Sequence, residues 1–135
     1  YRRGMKCLII DPWNEVDHSR PNGMTETEYI SHSLNQIRRF ARTNNCHVFV
    51  VAHPFKMTKQ DGKSYPCPTP YDISGSAHWR NKADNCFAVW RDVSPENETF
   101  EVEIHVQKIR KKHIGRLGMV KLNYEYSTGR YQEIA

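Results

Sequence analysis

Two apolar runs in this chain each end on an ionisable residue. Lys6-Cys7-Leu8-Ile9-Ile10 ends on Asp11, and His47-Val48-Phe49-Val50-Val51-Ala52 ends on His53. Short runs of this kind read as strands of a parallel sheet, buried on both faces. Ligands of open α/β sheets bind beyond the carboxyl ends of such strands. A carboxylate there suits Mg²⁺, held mostly through water. The plainer role for Asp11 is a strand-end cap, and a lone His53 is more often a hydrogen-bonded structural residue. Two basic segments add to these. Lys108-Ile109-Arg110 precedes Lys111-Lys112-His113-Ile114-Gly115-Arg116. An arginine there would offer a permanent charge and a planar fork of donors, while the simpler reading is a solvated basic turn. Lys56, Lys59 and Lys63, near Phe55 and Tyr65, suit salt-sensitive contacts to a phosphate backbone, although lysine is also an ordinary surface residue.

The elements that must position these residues follow from pattern. Thr25-Glu26-Thr27-Glu28 is a capping box. Ile30, Leu34, Ile37 and Ala41 then recur at helical spacing, and Arg38, Arg39 and Arg42 suit the helix's negative end and its charged face. Asn44-Asn45 is a left-handed stop, so a helix is expected over about 25–44. Strand, helix, strand makes a βαβ unit with parallel strands. The stretch 55–72 carries Gly62, Pro66, Pro68 and Pro70 and reads as a long loop. A short helix over 74–82 and a strand over 85–91 follow. Phe100, Val102, Ile104 and Val106 alternate with polar residues, as do Val120, Leu122, Tyr124 and Tyr126. Ser127-Thr128-Gly129 turns the chain into a last strand over 130–134. The fold class is α/β, a parallel half passing into an antiparallel end.

Composition narrows the function. In 135 residues, 38% are hydrophobic and 26% charged, which fits one ordinary folded domain and not a disordered chain. No apolar run approaches the roughly 20 residues that span a bilayer, so no membrane role is expected. The net charge of +5 is compatible with an anionic partner. The four cysteines, Cys7, Cys46, Cys67 and Cys86, lie at least 19 positions apart, so they read as buried free thiols in a reducing cytoplasm. The seven histidines show no zinc-ligand spacing, and no Gly-x-Ser-x-Gly elbow occurs. Of the tryptophans, Trp90 reads as core, Trp79 as a packing or subunit-contact residue, and Trp13 as a candidate base-stacking surface.

Taken together, these segments resemble a known family. Leu8-Ile9-Ile10-Asp11 resembles a Walker B strand. Val50-Val51-Ala52-His53-Pro54 resembles the sensor strand of hexameric replicative DNA helicases of the Twinkle/DnaB type, and Asn44-Asn45-Cys46-His47-Val48 resembles the Twinkle branch. Ser74-Gly75-Ser76-Ala77 followed by Ala83-Asp84-Asn85 is similar to that family's Gly-Ser…Ala-Asp motif. Gln107-Lys108-Ile109-Arg110, with Gly115 after it, resembles the segment that carries the arginine finger. The motifs occur in the family's order over residues 6 to 116, and Tyr124 and Gly129-Arg130-Tyr131 fit its terminal hairpin.

The resemblance implies a partial RecA-like P-loop NTPase core: a parallel βαβ unit, then an antiparallel C-terminal β-hairpin region. Residues 1–135 would be the C-terminal part of a single helicase ATPase domain. The expected parent is a phage, prophage or bacterial enzyme that hydrolyses ATP or another NTP with Mg²⁺. It would form a ring of identical subunits, a hexamer by the family's pattern, and translocate on single-stranded DNA. Asp11 would orient Mg²⁺ through water, and His53 would sense the γ-phosphate. Lys108 and Arg110 would reach a neighbour's nucleotide. Lys56, Lys59 and Lys63 would contact DNA from a channel loop, with 17–24 as a second loop. Gly75, Ser76 and Asp84 belong to the shared motif. The competing readings are a RecA/KaiC-like ATPase of recombination or regulation, and a stand-alone nucleic-acid-binding or assembly module without ATPase activity.

Departures from the family pattern matter equally. No Gly-x-x-x-x-Gly-Lys-[Ser/Thr] occurs in the chain, so nothing supplies a phosphate cradle. The chain starts at Tyr1, not Met, and the P-loop half is expected upstream of it. Asp11 is followed by Pro12-Trp13, so no adjacent Glu can act as base, and the loop after Arg110 is slightly longer than the compact family form. Without its P-loop half the chain is expected to expose strand edges and apolar faces and to self-associate. The 135 residues on their own are expected not to hydrolyse ATP. Phosphate release that persists through purification and vanishes in Asp11→Ala would overturn this.

Overall fold

The structure is a computed structural model describing residues 4, 6–59, 64–74, 77–97 and 99–134. Strand β1 (Cys7–Ile10) and strand β2 (His47–Val50) pair in parallel, with Ile10 opposite Val50. Helix α1 (Glu26–Thr43) connects them. Its first turn is fixed by a reciprocal cap: the Thr25 N–H donates to Glu28 Oε2 at 2.9 Å, and the Glu28 N–H donates to Thr25 Oγ1 at 3.3 Å. The Thr25 N–H, and the Thr25 hydroxyl that donates to the same Oε2 at 2.8 Å, hold the Glu28 carboxyl below its ordinary pKa. At the other end Asn45 takes φ 47°, the left-handed residue that stops the helix. The expected βαβ unit is therefore present.

After the long loop comes the short helix α2 (Ala77–Lys82). Four antiparallel strands follow in spatial order: β3 (Asn85–Trp90), β4 (Glu101–Ile109), β5 (Gly118–Glu125) and β6 (Arg130–Glu133). The antiparallel part is larger than a terminal hairpin, because β3 pairs with β4 and forms a sheet separate from β1–β2.

The core sits where β1, β2, α1 and α2 meet. Trp13, Ile30, Leu34 and Trp79 are its buried members, with Tyr29, Ile37, Val50, Ala52 and Ile73 packed around them. Trp13 and Trp79 meet edge to face at 5.4 Å between ring centroids. Burial of side chains such as Ile30 and Leu34 contributes about 1.5–3 kcal/mol each. The tryptophans divide differently from expectation. Trp13, only 8% exposed, belongs to the core, so base stacking is closed to it. Trp79 is buried packing, as expected, with its indole N–H on the Ser74 carbonyl at 2.8 Å. Trp90 is only half-buried and donates to the Tyr65 carbonyl at 2.9 Å. It anchors the long loop to β3 instead of filling the core.

Strands buried on both faces were expected for β1 and β2, and the structure corrects this. Along both strands exposed and half-buried residues alternate. Helix α1 covers one face only, and Ile9 (63% exposed), Phe49 and Val51 stand on the open face. In β3, Phe87 and Val89 are likewise exposed. The continuous apolar runs that pointed to two-sided burial are thus half used by the described residues. The cysteines are free thiols, but none is fully buried, and Cys7 is exposed. Burial nonetheless pushes the thiols of Cys67 and Cys86 up in pKa, which disfavours the thiolate. Among the described residues no helix is long and apolar enough to cross a membrane.

Apolar side chains open to water on β1, β2 and β3 drive association. Light scattering of the purified chain is expected to report species larger than a monomer, and Ile9→Lys with Val89→Lys is expected to shrink them. A monodisperse dilute monomer of the unsubstituted chain would contradict this.

Candidate functional site

The carboxyl ends of β1 and β2 are stitched together past the last ladder pair. The Val51 N–H donates to the Ile10 carbonyl at 2.9 Å, and the Trp13 N–H donates to the Val51 carbonyl at 2.7 Å. The turn between them contains a cis Asp11–Pro12 bond. The His53 N–H then donates to Asn14 Oδ1 at 3.0 Å. Asp11 continues the parity of Cys7 and Ile9, and His53 that of Phe49 and Val51, all of them exposed. The two candidates therefore stand just past the same end of the parallel strand pair, both exposed. Asn14 was not singled out from sequence. Its signal is only retrospective: an amide side chain a short turn past the strand end, able to cap a neighbouring strand.

Asp11 is the carboxylate directly at the end of β1. Among the described residues no group of three His, Cys, Asp or Glu side chains could hold a metal ion. Such a site fits a cation held mainly by phosphate oxygens and water, with Asp11 as an outer partner. It does not fit a cation caged by protein alone.

The loop after His53 is closed at its base, where the Phe55 N–H donates to the Asp72 carbonyl at 2.7 Å. Thr69 and Asp72 form a tight turn, the Thr69 N–H reaching Asp72 Oδ2 at 2.7 Å. Gln107 of β4 donates to the Pro68 carbonyl at 2.7 Å. Lys56 and Lys59 lie on the outgoing arm. The Lys59 ammonium stands 5.4 Å from the centroid of the Tyr65 ring. Lys63 lies outside the described residues, as do Gly75 and Ser76 of the shared motif. In the 17–24 loop, His18 is tied back to the Trp13 carbonyl at 2.9 Å and to the Tyr29 hydroxyl at 3.3 Å.

Lys108 and Arg110 converge on the carboxyl end of α2, whose last carbonyls lack helical partners. The Lys108 ammonium donates to the Ala83 carbonyl at 2.8 Å, to the Asn81 carbonyl at 3.4 Å and to the Arg80 carbonyl. Burial lowers its pKa, and the charge of Arg110 lowers it further. Arg110 Nη2 donates to the carbonyls of Asn81 and Ala83 at 3.0 and 3.2 Å. Its Nε meets Asp84 Oδ1 at 2.6 Å. Two cations at a helix's negative end are favoured by its dipole. The segment is thus more than a solvated basic turn, because its first two cations fold back on their own chain. Arg38, read from sequence as part of a charged helix face, also reaches Asp84 Oδ1, at 3.4 Å. The helical pattern could not reveal this, since residues 38 and 84 meet only through the fold.

The bond between Asn14 and His53 yields a direct test. A net hydrogen bond contributes about 0.5–1.5 kcal/mol. Asn14→Ala is therefore expected to speed hydrogen exchange at the His53 amide about two- to tenfold, while Asn14→Asp keeps the acceptor and the protection. Unchanged exchange in Asn14→Ala would show that the bond does not fix this turn.

Comparison with known proteins places this geometry. No protein-family model matches the chain. The Twinkle homolog protein, chloroplastic/mitochondrial, of Arabidopsis thaliana is 44% identical over 133 residues, which is 98% of this chain. The chain spans 18% of that protein's length. Among solved structures, an isolated ATPase domain superposes with a TM-score of 0.78 at 21% identity, over 97% of this chain and 45% of that one. A DnaB-like replicative helicase, solved in a study of its interactions with primase, gives a TM-score of 0.76 at 19% identity, over 97% and 30%. The chain is thus similar in sequence to a segment of that Twinkle homolog protein, and it shares the fold of that ATPase domain and of the DnaB-like helicase.

Proposed function

We propose that this chain is the post-P-loop part of the motor domain of an NTP-hydrolysing replicative helicase, which moves on single-stranded DNA and unwinds duplex. The observation that carries this reading is the placement of Asp11 and His53, both exposed, just past one end of the parallel strand pair. The homology to Twinkle supports it.

On this reading a nucleoside triphosphate, ATP in the first instance, lies over that strand end. Mg²⁺ would neutralise charge on its phosphates, with Asp11 accepting from the cation's water shell. His53 senses the γ-phosphate, and its backbone is already fixed by Asn14. The loop that begins at Pro54 carries the signal outward, and Lys56, Lys59 and Lys63 contact the DNA backbone. Arg110 acts on the nucleotide of a neighbouring subunit in a ring, proposed to be a hexamer, where a guanidinium offsets charge on the transferred phosphoryl group. The same assignment for Lys108 requires its ammonium to leave the α2 carbonyls that now hold it. Gly75, Ser76 and Asp84 are residues of the shared motif, and Asp84 is the one that meets Arg110. The working place is cytoplasmic in a phage or bacterial source and organellar in a source like that of the Arabidopsis relative.

The full-length protein provides the test. Asp11→Ala is expected to abolish Mg²⁺-dependent, DNA-stimulated ATP hydrolysis and the unwinding of forked duplex. Lys56→Ala and Lys59→Ala are each expected to weaken single-stranded DNA binding without regard to sequence. Each should also reduce the slope of log K against log salt by about 0.7. Hydrolysis without unwinding would favour the RecA/KaiC-like reading. Salt-dependent DNA binding without any hydrolysis would favour the stand-alone binding module.

A further inference from the structure

The strand register brings residues 84 and 110 together. Asn85 pairs with Ile109 in the antiparallel ladder, so Asp84 and Arg110 are the next pair beyond it. The Arg110 N–H donates to the Asp84 carbonyl at 2.8 Å. The Asp84 carboxylate takes Arg110 Nε at 2.6 Å. Asp84 thus grips Arg110 by main chain and by side chain. The α2-end carbonyls of Asn81 and Ala83 take Nη2 of the same guanidinium. Among the described residues no hydrogen-bond partner meets Nη1. One part of the fork is fixed on its own chain, and the other remains for an anion outside it.

We propose that Asp84 is a positioning residue for Arg110, fixing the guanidinium so that its remaining donors face a neighbouring subunit's phosphates. This rests on the reading of Arg110 as a residue that acts on a neighbour's nucleotide. Asp84 itself touches no substrate. Its negative charge would repel a phosphate, and the guanidinium stands on its Oδ1. An arginine side chain has many rotamers, and fixing one before the phosphate arrives removes an ordering cost from the reacting complex. The pair is not there for stability. The Asp84 side chain is 58% exposed and that of Arg110 38%, and ion pairs so open to water add little to folding. Arg38 shares Oδ1 from the side of α1, at the longer distance of 3.4 Å. It is the second cation that keeps the carboxylate in place when Arg110 engages a phosphate.

The experiment uses the full-length protein, with single-stranded DNA present and radiolabelled ATP so that slow variants remain measurable. Asp84→Ala is expected to lower kcat about tenfold with the KM for ATP within about twofold of the unsubstituted protein. Asp84→Glu, which restores the carboxylate, is expected to recover at least a third of the lost rate. Arg110→Ala is expected to lower kcat further than Asp84→Ala, and the double variant Asp84→Ala/Arg110→Ala to be no slower than Arg110→Ala. A further several-fold loss in the double variant would show that Asp84 acts elsewhere and would overturn the inference. Asp84→Ala with kcat within about twofold of normal, beside a crippled Arg110→Ala, would overturn it too and leave the proposed function intact. Normal hydrolysis in Arg110→Ala would overturn both. If Asp84→Ala is insoluble, the isosteric Asp84→Asn decides: a loss of about threefold or more in kcat supports the inference, and an unchanged kcat overturns it.

Discussion

Trp13 holds together the four elements on which everything else rests. Its main-chain N–H extends the β1–β2 ladder by bonding the Val51 carbonyl at 2.7 Å. Its indole packs on Trp79 from α2, and with Ile30 and Leu34 from α1 it makes up the buried cluster. His18 returns to its carbonyl and pins the following loop. One residue therefore joins the end of the parallel strands to α1 and α2. Asp11 precedes it by two positions, so the placement of the acidic candidate depends on that anchor. Removing a tryptophan from such a cluster costs about 3–5 kcal/mol in typical cores, a large share of the stability of a small domain.

The position of α2 in turn decides what the basic segment can do. A six-residue helix leaves most of its carbonyls without helical partners. Lys108 and Arg110, projecting from the end of β4, satisfy several of them. The same contact that finishes the helix holds two cations in register beside Asp84. A free basic turn would spread its charge through solvent and fix no direction. Here the backbone dipoles and one carboxylate supply the direction, and the cations beyond Arg110 remain exposed.

The β1–β2 pair is covered on one side only. Helix α1 lies on the side of Leu8 and Ile10, while Ile9, Phe49 and Val51 face outward, and Asp11 and His53 are exposed just past the strand ends. Open apolar strands next to ionisable residues make a poor surface for an isolated chain. They suit a face on which further structure lies.

Much of this was legible in the sequence, because local rules are read locally. The capping box at Thr25, the left-handed Asn45, the period of α1 and the alternation in β4 and β5 depend on neighbours a few residues away. Each motif that carried the resemblance to the helicase family is likewise a short run of neighbouring residues. Burial was read less well. An apolar run shows that a strand can be covered on both faces, but only the tertiary structure shows that α1 covers one. Trp13 went into the core and Trp90 to its edge, against expectation, because a ring's neighbours come from distant segments. The contacts of Asn14 with His53 and of Arg38 and Arg110 with Asp84 bridge 39, 46 and 26 positions. Periodicity carries no information over such separations. The sequence by itself determined which elements form and which residue types stand at their ends. Only the fold decided which of those residues meet, because a side chain's partners are chosen by packing and hydrogen bonding across the chain, not by spacing along it.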